Sequence, residues 1–484
     1  MSLDLRALRT AIAAISADIS NDAIGNHVAK VDDIFAPALH SSAIDPGVPM
    51  VVGSRGVGKS FWSGALGQED TRKAIALAYP KLGLSSFSVA FGFTGVVGGP
   101  EGVTVEQMDN VVPPQATRAI ARTFWWATVL LAAGRSAGEK PQISQMMKLA
   151  ADIEARETVL QKRQHLLKSG GKKLLIVFDA LDAISTEWPR RRMLLEALFE
   201  VAWAMRAYSD IKLKIFLRPD QLDDDALQFI ELPKLRTGAV RLSWTGADLY
   251  GLLFSRLALS SDGVQAFDGL LSRLGFSRPT REQMLRREWP LAQDPAAQAK
   301  AMDLVAGPFM GPGPNGFKKG KTYDWPLKHL GDAFDEVTPR SFLGLMIAAA
   351  KRGDPPADKV ISPDGIRHGL REASKARVDQ LQLDFPWIKG VLAPMSGLLL
   401  PQTEKIVFKV WKEAKTIEAL QEDARRRQYL PPFDLEDRSP READIFEALL
   451  RIGVMFRRRD ERIDMPDLFR VAARLLKKGG TAPI

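Results

Sequence analysis

The sequence predicts an α/β fold in which a helix-covered parallel β-sheet is followed by a largely helical C-terminal half. Between residues 50 and 244, short apolar segments with strand character alternate with helical ones, as in a parallel sheet with crossover helices. After residue 244 the apolar positions recur mainly at helical spacing. A glycine-rich stretch at residues 53–60 separates the first strand from the first helix of the alternating part.

The composition is that of a soluble globular protein with room for about two to four domains. The chain has 484 residues, of which 45% are hydrophobic and 26% are charged, and its net charge of +9 favours acidic partners. The absence of cysteine excludes disulfides, thiolate zinc sites and cysteine nucleophiles. We expect no membrane partner and a cytoplasmic location, because the apolar runs are too short to span a bilayer and the N-terminus lacks a signal-peptide pattern.

The periodicity of the apolar residues places the individual elements. The predicted strands are 50–52, 86–91, 172–179, 211–218 and 239–244. The predicted helices are 3–19, 116–133, 141–168, 188–207, 246–260, 264–274, 294–305, 340–351, 363–383 and 404–427. Glycine and proline mark residues 92–114 and 307–320 as exposed loops.

Residues 53–60 fit the pattern G-x-x-x-x-G-K-[ST] at every fixed position. The matched residues and the phenylalanine that follows them are Gly53, Ser54, Arg55, Gly56, Val57, Gly58, Lys59, Ser60 and Phe61. Glycines allow a tight turn whose N–H groups point at phosphate oxygens, and the following helix adds its positive dipole end. Lys59 is predicted to reach the β- and γ-phosphates of ATP, and Ser60 to bind Mg²⁺. The alternative is a glycine-rich turn without a ligand.

A second acidic position follows a buried strand, where the apolar segment 174–178 ends on Asp179 in the pattern known as Walker B. A carboxylate at the end of a central strand lies where open α/β sheets bind ligands, so Asp179 is predicted to hold Mg²⁺. The alternative is an aspartate that caps the next loop. Ala180 stands where many such sites carry a catalytic glutamate, which makes Asp182 the nearest candidate for orienting the attacking water and predicts slow turnover.

Two arginines are candidates for contact with the γ-phosphate. Arg218 follows the strand predicted at 211–218, and its guanidinium offers a bidentate cation. The alternative for Arg218 is a surface salt bridge with Asp220 or Asp223. Arg340 lies in the first turn of a helix that Thr338 is predicted to cap, a position that the helix dipole disfavours. A nucleotide contact would explain this placement, and a solvent-exposed side chain is the alternative.

These motifs together resemble the AAA+/STAND branch of P-loop NTPases, and most of all its origin-recognition-like and NACHT-like ATPases. The resemblance covers about residues 30–350 and implies a central sheet in the order 5-1-4-3-2, a helical lid and a C-terminal winged helix. Bacterial ATPases of this kind are frequent in anti-phage defence and mobile-element loci. On this basis the predicted segments are an N-terminal helical segment (1–45), the P-loop core (46–245), the lid (246–353), a helical linker region (354–430) and a winged-helix-like domain (431–484).

The C-terminal segment is predicted to fold as a helix, a two-stranded ribbon at residues 453–463 and a second helix running from residue 465 to residue 477. Its basic residues form a candidate surface for non-specific contact with DNA phosphates. The residues concerned are Arg457, Arg458, Arg459, Arg470 and Lys477. The alternative is a protein-interaction module in which the arginines pair with nearby acids.

Three functional hypotheses follow from the sequence. The first is an ATP-binding, slowly hydrolysing switch that couples nucleotide state to assembly with other protein subunits. The second is a DNA-binding, initiator- or loader-like ATPase, and the third is a nucleotide-binding scaffold without hydrolysis. The five histidines show no metal-ligand spacing, and the sequence contains no N-K-x-D or H-E-x-x-H motif, which disfavours GTPase and metalloprotease functions.

Overall fold

The computed structural model describes residues 3–16, 29–95, 102–185, 187–222, 227, 229–261, 263–354, 356–433 and 439–483. The chain divides into two compact units, which we call the sheet unit and the helical unit. The sheet unit is Ile19–Ser243, and the helical unit comprises Met1–Asp18 and Trp244–Ile484. The finer division into core, lid, linker and winged-helix-like segments stays a prediction.

The elements are numbered along the chain over the residues just given. The strands β1 to β9 are Met50–Val52, Phe87–Phe93, Lys173–Phe178, Ile211–Leu217, Val240–Arg241, Leu399–Leu400, Phe456–Arg457, Ile463–Asp464 and Leu476–Lys477. The helices α1 to α12 are Leu5–Ala14, His40–Ile44, Lys59–Gly67, Glu69–Ala78, Val105–Val111, Arg118–Ser136, Ile143–Ala151, Ile153–Ser169, Trp188–Ala204, Pro219–Leu222, Leu232–Thr237 and Gly246–Ala258. The helices α13 to α24 are Val264–Arg273, Arg281–Leu285, Pro290–Gln293, Pro295–Ala306, Asp324–Leu330, Pro339–Lys351, Pro363–Asp384, Ile388–Leu392, Glu404–Glu413, Thr416–Arg427, Glu442–Arg451 and Asp467–Arg470.

The sheet unit is built on a five-stranded parallel sheet in the order β2-β3-β4-β1-β5. Read from the other edge, this is the order 5-1-4-3-2, so the predicted α/β fold and strand order are confirmed. Strand β4 lies between β3 and β1, with Val52 beside Leu217 and Phe178 beside Ile215. The carboxyl ends of β1, β3 and β4 therefore adjoin at one edge, which is where open α/β sheets place their ligands.

Aromatic and aliphatic side chains between the sheet and helices α6 and α9 form the core of the sheet unit. The fully buried Trp125 of α6 makes edge contacts with Phe93 of β2 and Phe178 of β3. Its indole N–H donates to the Leu194 carbonyl oxygen of α9 at 2.8 Å. Because the indole N–H keeps a hydrogen-bond partner, burial of this large ring stabilises the core without leaving a polar group unsatisfied. The ring contacts hold α6 on the sheet, and the hydrogen bond joins α6 to α9.

Two segments of the sheet unit differ from their predicted structure. The region 92–114, expected to be a loop, continues β2 to Phe93 and contains helix α5. Thr104 and Gln107 form a capping box that starts this helix, a local signal that outweighs the glycines before it. The helix expected over 141–168 is two helices, because the Asp152 side chain accepts from the Ala155 N–H and begins α8 anew.

The helical unit also departs from the prediction near its C-terminus. The expected ribbon is present as the antiparallel pair β7–β8. The helix expected to reach residue 477 instead ends at Arg470, and β9 pairs in parallel with β6. The left-handed backbone of Arg474, with φ of 58°, interrupts the helical path. The winged-helix interpretation stays a prediction, and none of the helices described here is long and apolar enough to cross a bilayer.

Candidate functional site

The loop between β1 and α3 has the backbone that its glycines predict. Gly56 and Gly58 have φ angles of 84° and 108°, which favour glycine, and α3 begins directly afterwards at Lys59. Gly53 donates its N–H to the Leu217 carbonyl oxygen of β4 at 3.0 Å. A Cβ atom at Gly53 would lie 2.6 Å from Val57 Cγ1, so the loop is too tight there for any side chain.

Lys59, the first residue of α3, folds its side chain over this loop. Its ammonium donates to the carbonyl oxygens of Gly53 at 2.7 Å and Ser54 at 3.2 Å. The charge is thus held beside the N-terminus of α3, whose dipole also favours anions. Both features concentrate positive potential at the same end of the loop, as phosphate binding requires.

Asp179 follows β3 at the same edge of the sheet and is only 3% exposed. The Ala180 N–H and the Ser60 hydroxyl are the neighbouring donors whose hydrogen bonding to its carboxylate acts to lower the pKa of Asp179. Burial raises the pKa of Asp179, the nearby Asp182 charge raises it further, and the two hydrogen bonds and the Lys59 ammonium partly oppose this. The structure therefore brings Lys59 and Ser60 together with Asp179, which lies 120 residues after Lys59 in sequence.

The Ser60 and Asp179 oxygens fit a magnesium ion. Hydroxyl and carboxylate oxygens are the ligands that this hard cation prefers, and a buried carboxylate with a raised pKa gains stability from an added positive charge. Within the described residues, no group of three or more histidine, aspartate or glutamate side chains forms a complete metal cage. Two protein oxygens suit Mg²⁺, which commonly completes its coordination with water and substrate phosphates.

Asp182 is held by an arginine of the glycine-rich loop, a pairing that the sequence did not reveal. Arg55 Nη2 lies 3.1 Å from Asp182 Oδ2, and the two side chains are 16% and 25% exposed. Between Asp179 and Asp182, Ala180 adopts a left-handed backbone with φ of 56°, uncommon for a residue other than glycine. This turn carries the Asp182 side chain back toward the loop, and the catalytic role of Asp182 stays a prediction.

Arg218 directly follows β4, between the ends of β1 and β3. Its guanidinium is buried and donates to both Asp220 oxygens, at 3.0 and 2.7 Å. Its backbone N–H donates to Gln221 Oε1 at 2.9 Å. The pairing with Asp220 foreseen as the alternative is therefore present but buried, and the γ-phosphate role of Arg218 stays a prediction.

Arg340 lies in the first turn of α18, in the helical unit. The expected cap is present, because Thr338 Oγ1 accepts from the Ser341 N–H and Pro339 occupies the first helical position. The contact of Arg340 with nucleotide stays a prediction.

The basic residues of the C-terminal segment are mostly paired with acids. Arg457 bonds to Glu404, and Arg458 and Lys477 both lie within 3.5 Å of Asp464, while Arg459 is exposed. Arg470 has 0% exposure and donates to Asp467 Oδ1 and to the carbonyl oxygens of Leu475 and Thr481. This is a correction to the predicted DNA surface, because a guanidinium with these partners and no solvent contact does not reach a phosphate.

Lys214 is a further residue that sequence analysis missed. It is fully buried in β4 and donates to the carbonyl oxygens of Ala43, Asp45 and Val48 at 3.0, 2.6 and 2.5 Å. Burial lowers the pKa of Lys214 to about 7, although the charge of Asp45 opposes the shift. Lys214 thus ties down the segment that leads into β1 and the glycine-rich loop. The sequence did contain a signal for this buried residue, because a lysine in the middle of a strand that is covered on both faces must find partners inside the protein.

No model of a known protein family and no curated protein matches the chain. Two solved structures show a distant similarity. A Walker-type ATPase of Pyrococcus abyssi is 11% identical, with 92% of this chain and 96% of that chain covered and a TM-score of 0.38. The ORC2 protein of Aeropyrum pernix, in ADPNP–ADP complexes, is 12% identical, with 87% and 84% covered and a TM-score of 0.38. At this TM-score neither similarity bears on function, which depends on the geometry of the site itself.

Proposed function

We propose that the sheet unit binds ATP with Mg²⁺ and hydrolyses it slowly, as a nucleotide-dependent switch. The observation that carries the proposal is the position of the buried Asp179 at the carboxyl edge of the sheet where β1 enters the glycine-rich loop, so that Lys59 and Ser60 both act on its carboxylate. A glycine-rich turn without a ligand has no need of a buried acid of raised pKa beside the helix N-terminus.

Each residue of the site has a distinct role in this proposal. The N–H groups of residues 54–60 and the Lys59 ammonium bind the phosphates, and Lys59 contacts the β- and γ-phosphoryl oxygens. Ser60 and Asp179 hold the metal, which when bound neutralises charge on the phosphates. Arg218 and Arg340 are proposed to respond to the γ-phosphate and so to report nucleotide state to partner subunits.

Slow hydrolysis follows from the turn after Asp179. Ala180 offers no acid next to Asp179, and the carboxylate that remains, Asp182, is engaged by Arg55. Orientation of the attacking water thus depends on Asp182, whose charge is partly compensated. A non-hydrolysing scaffold is the second candidate function, favoured by the same absence of an acid at residue 180.

Nucleotide binding is tested by thermal unfolding. Saturation with Mg²⁺–ATP at about 100 times its Kd stabilises a folded protein by about 2.7 kcal/mol. We expect this shift in the wild type and in Lys81→Ala, an exposed lysine of the sheet unit, but not in Lys59→Ala. An undiminished shift in Lys59→Ala contradicts the proposal.

Turnover separates the two candidate functions. Phosphate release under saturating Mg²⁺–ATP is compared in the wild type, Asp182→Asn and Lys81→Ala. A slow wild-type rate that falls only in Asp182→Asn supports the switch. Binding without any phosphate release in the wild type supports the scaffold.

A further inference from the structure

A lysine-rich loop of the helical unit spans residues 307–321. We call it the basic loop. It connects α16 to α17 and contains no acidic residue. Hydrogen bonds close its base: Met310 N–H donates to the Gly320 carbonyl oxygen at 2.9 Å, and Arg367 Nη2 donates to the Met310 carbonyl oxygen at 2.5 Å. The basic loop is therefore a defined structure held to the helical unit.

The tip of the basic loop is a 3-10 turn over Gly316–Lys319 that packs tightly on Gly311. A Cβ atom at Gly316 would lie 2.3 Å from the Gly311 carbonyl oxygen, so glycine is required where the two backbones meet. This turn presents Phe317, which is 56% exposed. The ring of Phe309 supports Phe317 edge to face, with ring centroids 6.5 Å apart. A large aromatic ring is thus held in place while more than half exposed.

The lysines at the base and at the tip of the basic loop differ in the acidic partners that the described residues offer them. At the base, the charge of Lys321 acts to lower the pKa of Asp303. Lys359 packs its side chain over Gly307, and its ammonium lies 3.8 Å from a carboxylate oxygen of Asp358. At the tip, the exposed Lys318 and Lys319 form no ion pair with any residue that the structure describes. Two lysines therefore directly follow the exposed Phe317 in sequence, and within the described residues neither has a carboxylate oxygen within 4 Å of its ammonium.

We propose that the basic loop binds single-stranded nucleic acid, with Lys318 and Lys319 on successive phosphates and Phe317 stacked on an unpaired base. A flexible polyanion that carries flat rings beside its charges matches both features of the tip. A duplex keeps its bases stacked on one another and leaves Phe317 unused. Binding to a lipid surface requires a larger apolar area than one aromatic side chain provides. This proposal does not depend on nucleotide hydrolysis by the sheet unit.

The test is fluorescence anisotropy of the full chain with a labelled oligothymidylate of about 20 nucleotides, longer than one typical site. We expect Phe317→Ser to lower the affinity by about 5- to 150-fold without changing its salt dependence, because stacking is uncharged. Lys318→Ala/Lys319→Ala is expected to flatten the slope of log K against log salt by about 1.4, since each phosphate contact on a single strand contributes about 0.7.

Lys162→Ala/Lys168→Ala is the matched control, because it removes the same charge from the exposed face of α8 in the sheet unit. It is expected to keep both the affinity and most of the salt slope. Unchanged thermal unfolding temperatures in all variants show that the fold persists. The proposal is overturned if the loop variants bind like the wild type, if a duplex of equal length binds as tightly as the single strand, or if only phosphatidylserine vesicles bind.

Discussion

Buried aspartates at the carboxyl edge of the sheet and in the C-terminal segment have opposite electrostatic surroundings. Asp179 in the sheet unit has a raised pKa, because burial outweighs the hydrogen bonds that it accepts. Asp467 in the helical unit is also buried, but a hydrogen bond from His329 and the charge of Arg470 outweigh burial and lower its pKa to about 2. His329 Nδ1 and Arg470 Nε lie 2.5 and 2.6 Å from its two oxygens.

This difference separates a carboxylate that serves the fold from one that is available to a ligand. Asp467 already has Arg470 as its counter-charge and a hydrogen bond with His329, so its charge stabilises the folded state. For Asp179, hydrogen bonding and the Lys59 charge offset only part of the free energy lost when its carboxylate is buried. Its negative charge therefore lowers the stability of the fold until a cation binds. Functional sites commonly retain such unfavourable groups, at the expense of stability. Four predictions, from the largest effect to the smallest, test this contrast and the structural role of the buried Lys214.

Asp467→Asn is expected to destabilise the helical unit by about 3–5 kcal/mol, because it leaves the buried Arg470 without its counter-charge. The measurement is urea unfolding at neutral pH. The contribution of Asp467 is present above its unfolded pKa of about 3.8 and is lost as the pH falls through about 2, so the difference from wild type shrinks in acid. Arg459→Ala, at an exposed arginine, is the control and should change stability by less than about 0.5 kcal/mol. Equal effects of the two variants contradict the contrast.

Lys214→Met is expected to cost about 2–3 kcal/mol, since it removes three hydrogen bonds worth about 1 kcal/mol each. The folded pKa of about 7 lies below the ordinary value of 10.5, so the unfolded chain binds more protons between these values. Wild-type stability should therefore rise with pH between about 7 and 10.5 relative to Lys214→Met. Lys212 in the same strand is only partly buried and supplies the control Lys212→Met. A parallel pH course for wild type and Lys214→Met contradicts the expected shift.

Asp179→Asn is expected to leave the sheet unit as stable as the wild type, or more stable, at neutral pH. The raised pKa means that the contribution of Asp179 to stability is full below its unfolded pKa and is lost as the pH rises through the folded one. The same change should weaken Mg²⁺–ATP binding by about 10-fold or more, because it removes a charged metal ligand. Calorimetric titration with and without Mg²⁺ measures this. A destabilised variant that still binds Mg²⁺–ATP would place Asp179 in the structural class with Asp467.

The Arg55–Asp182 pair is expected to contribute least. Its two side chains are partly exposed, and pairs of this kind contribute about 0.2–1 kcal/mol. A double-mutant cycle with Arg55→Ala and Asp182→Asn, read by unfolding without nucleotide, gives the coupling energy. A coupling above about 2 kcal/mol would show that the pair is a structural element like Asp467 and Arg470.

The comparison also explains which parts of the site the sequence could predict. The loop at residues 53–60 and Asp179 could be predicted locally, since the loop's positive φ angles favour glycine and ligands bind at the carboxyl ends of parallel strands, where Asp179 stands. The pairing of Arg55 with Asp182 depends on the left-handed backbone at Ala180, and an alanine gives no indication of that conformation in the sequence. Arg470 looked like a surface cation because it stands among exposed arginines, and only the packing around Asp467 buries it.

The sequence by itself determined the α/β class and the identity of the glycine-rich loop, because these depend on periodicity and on backbone conformations that few residues adopt. The strand order was predicted only through the family resemblance. Only the tertiary structure decided which charged side chains are buried and paired within the folded chain. Whether Lys214 or Asp467 meets water, a carbonyl oxygen or a hydrogen-bond donor depends on segments more than a hundred residues away. Burial sets the energy of a charge, and burial is a property of the packed chain.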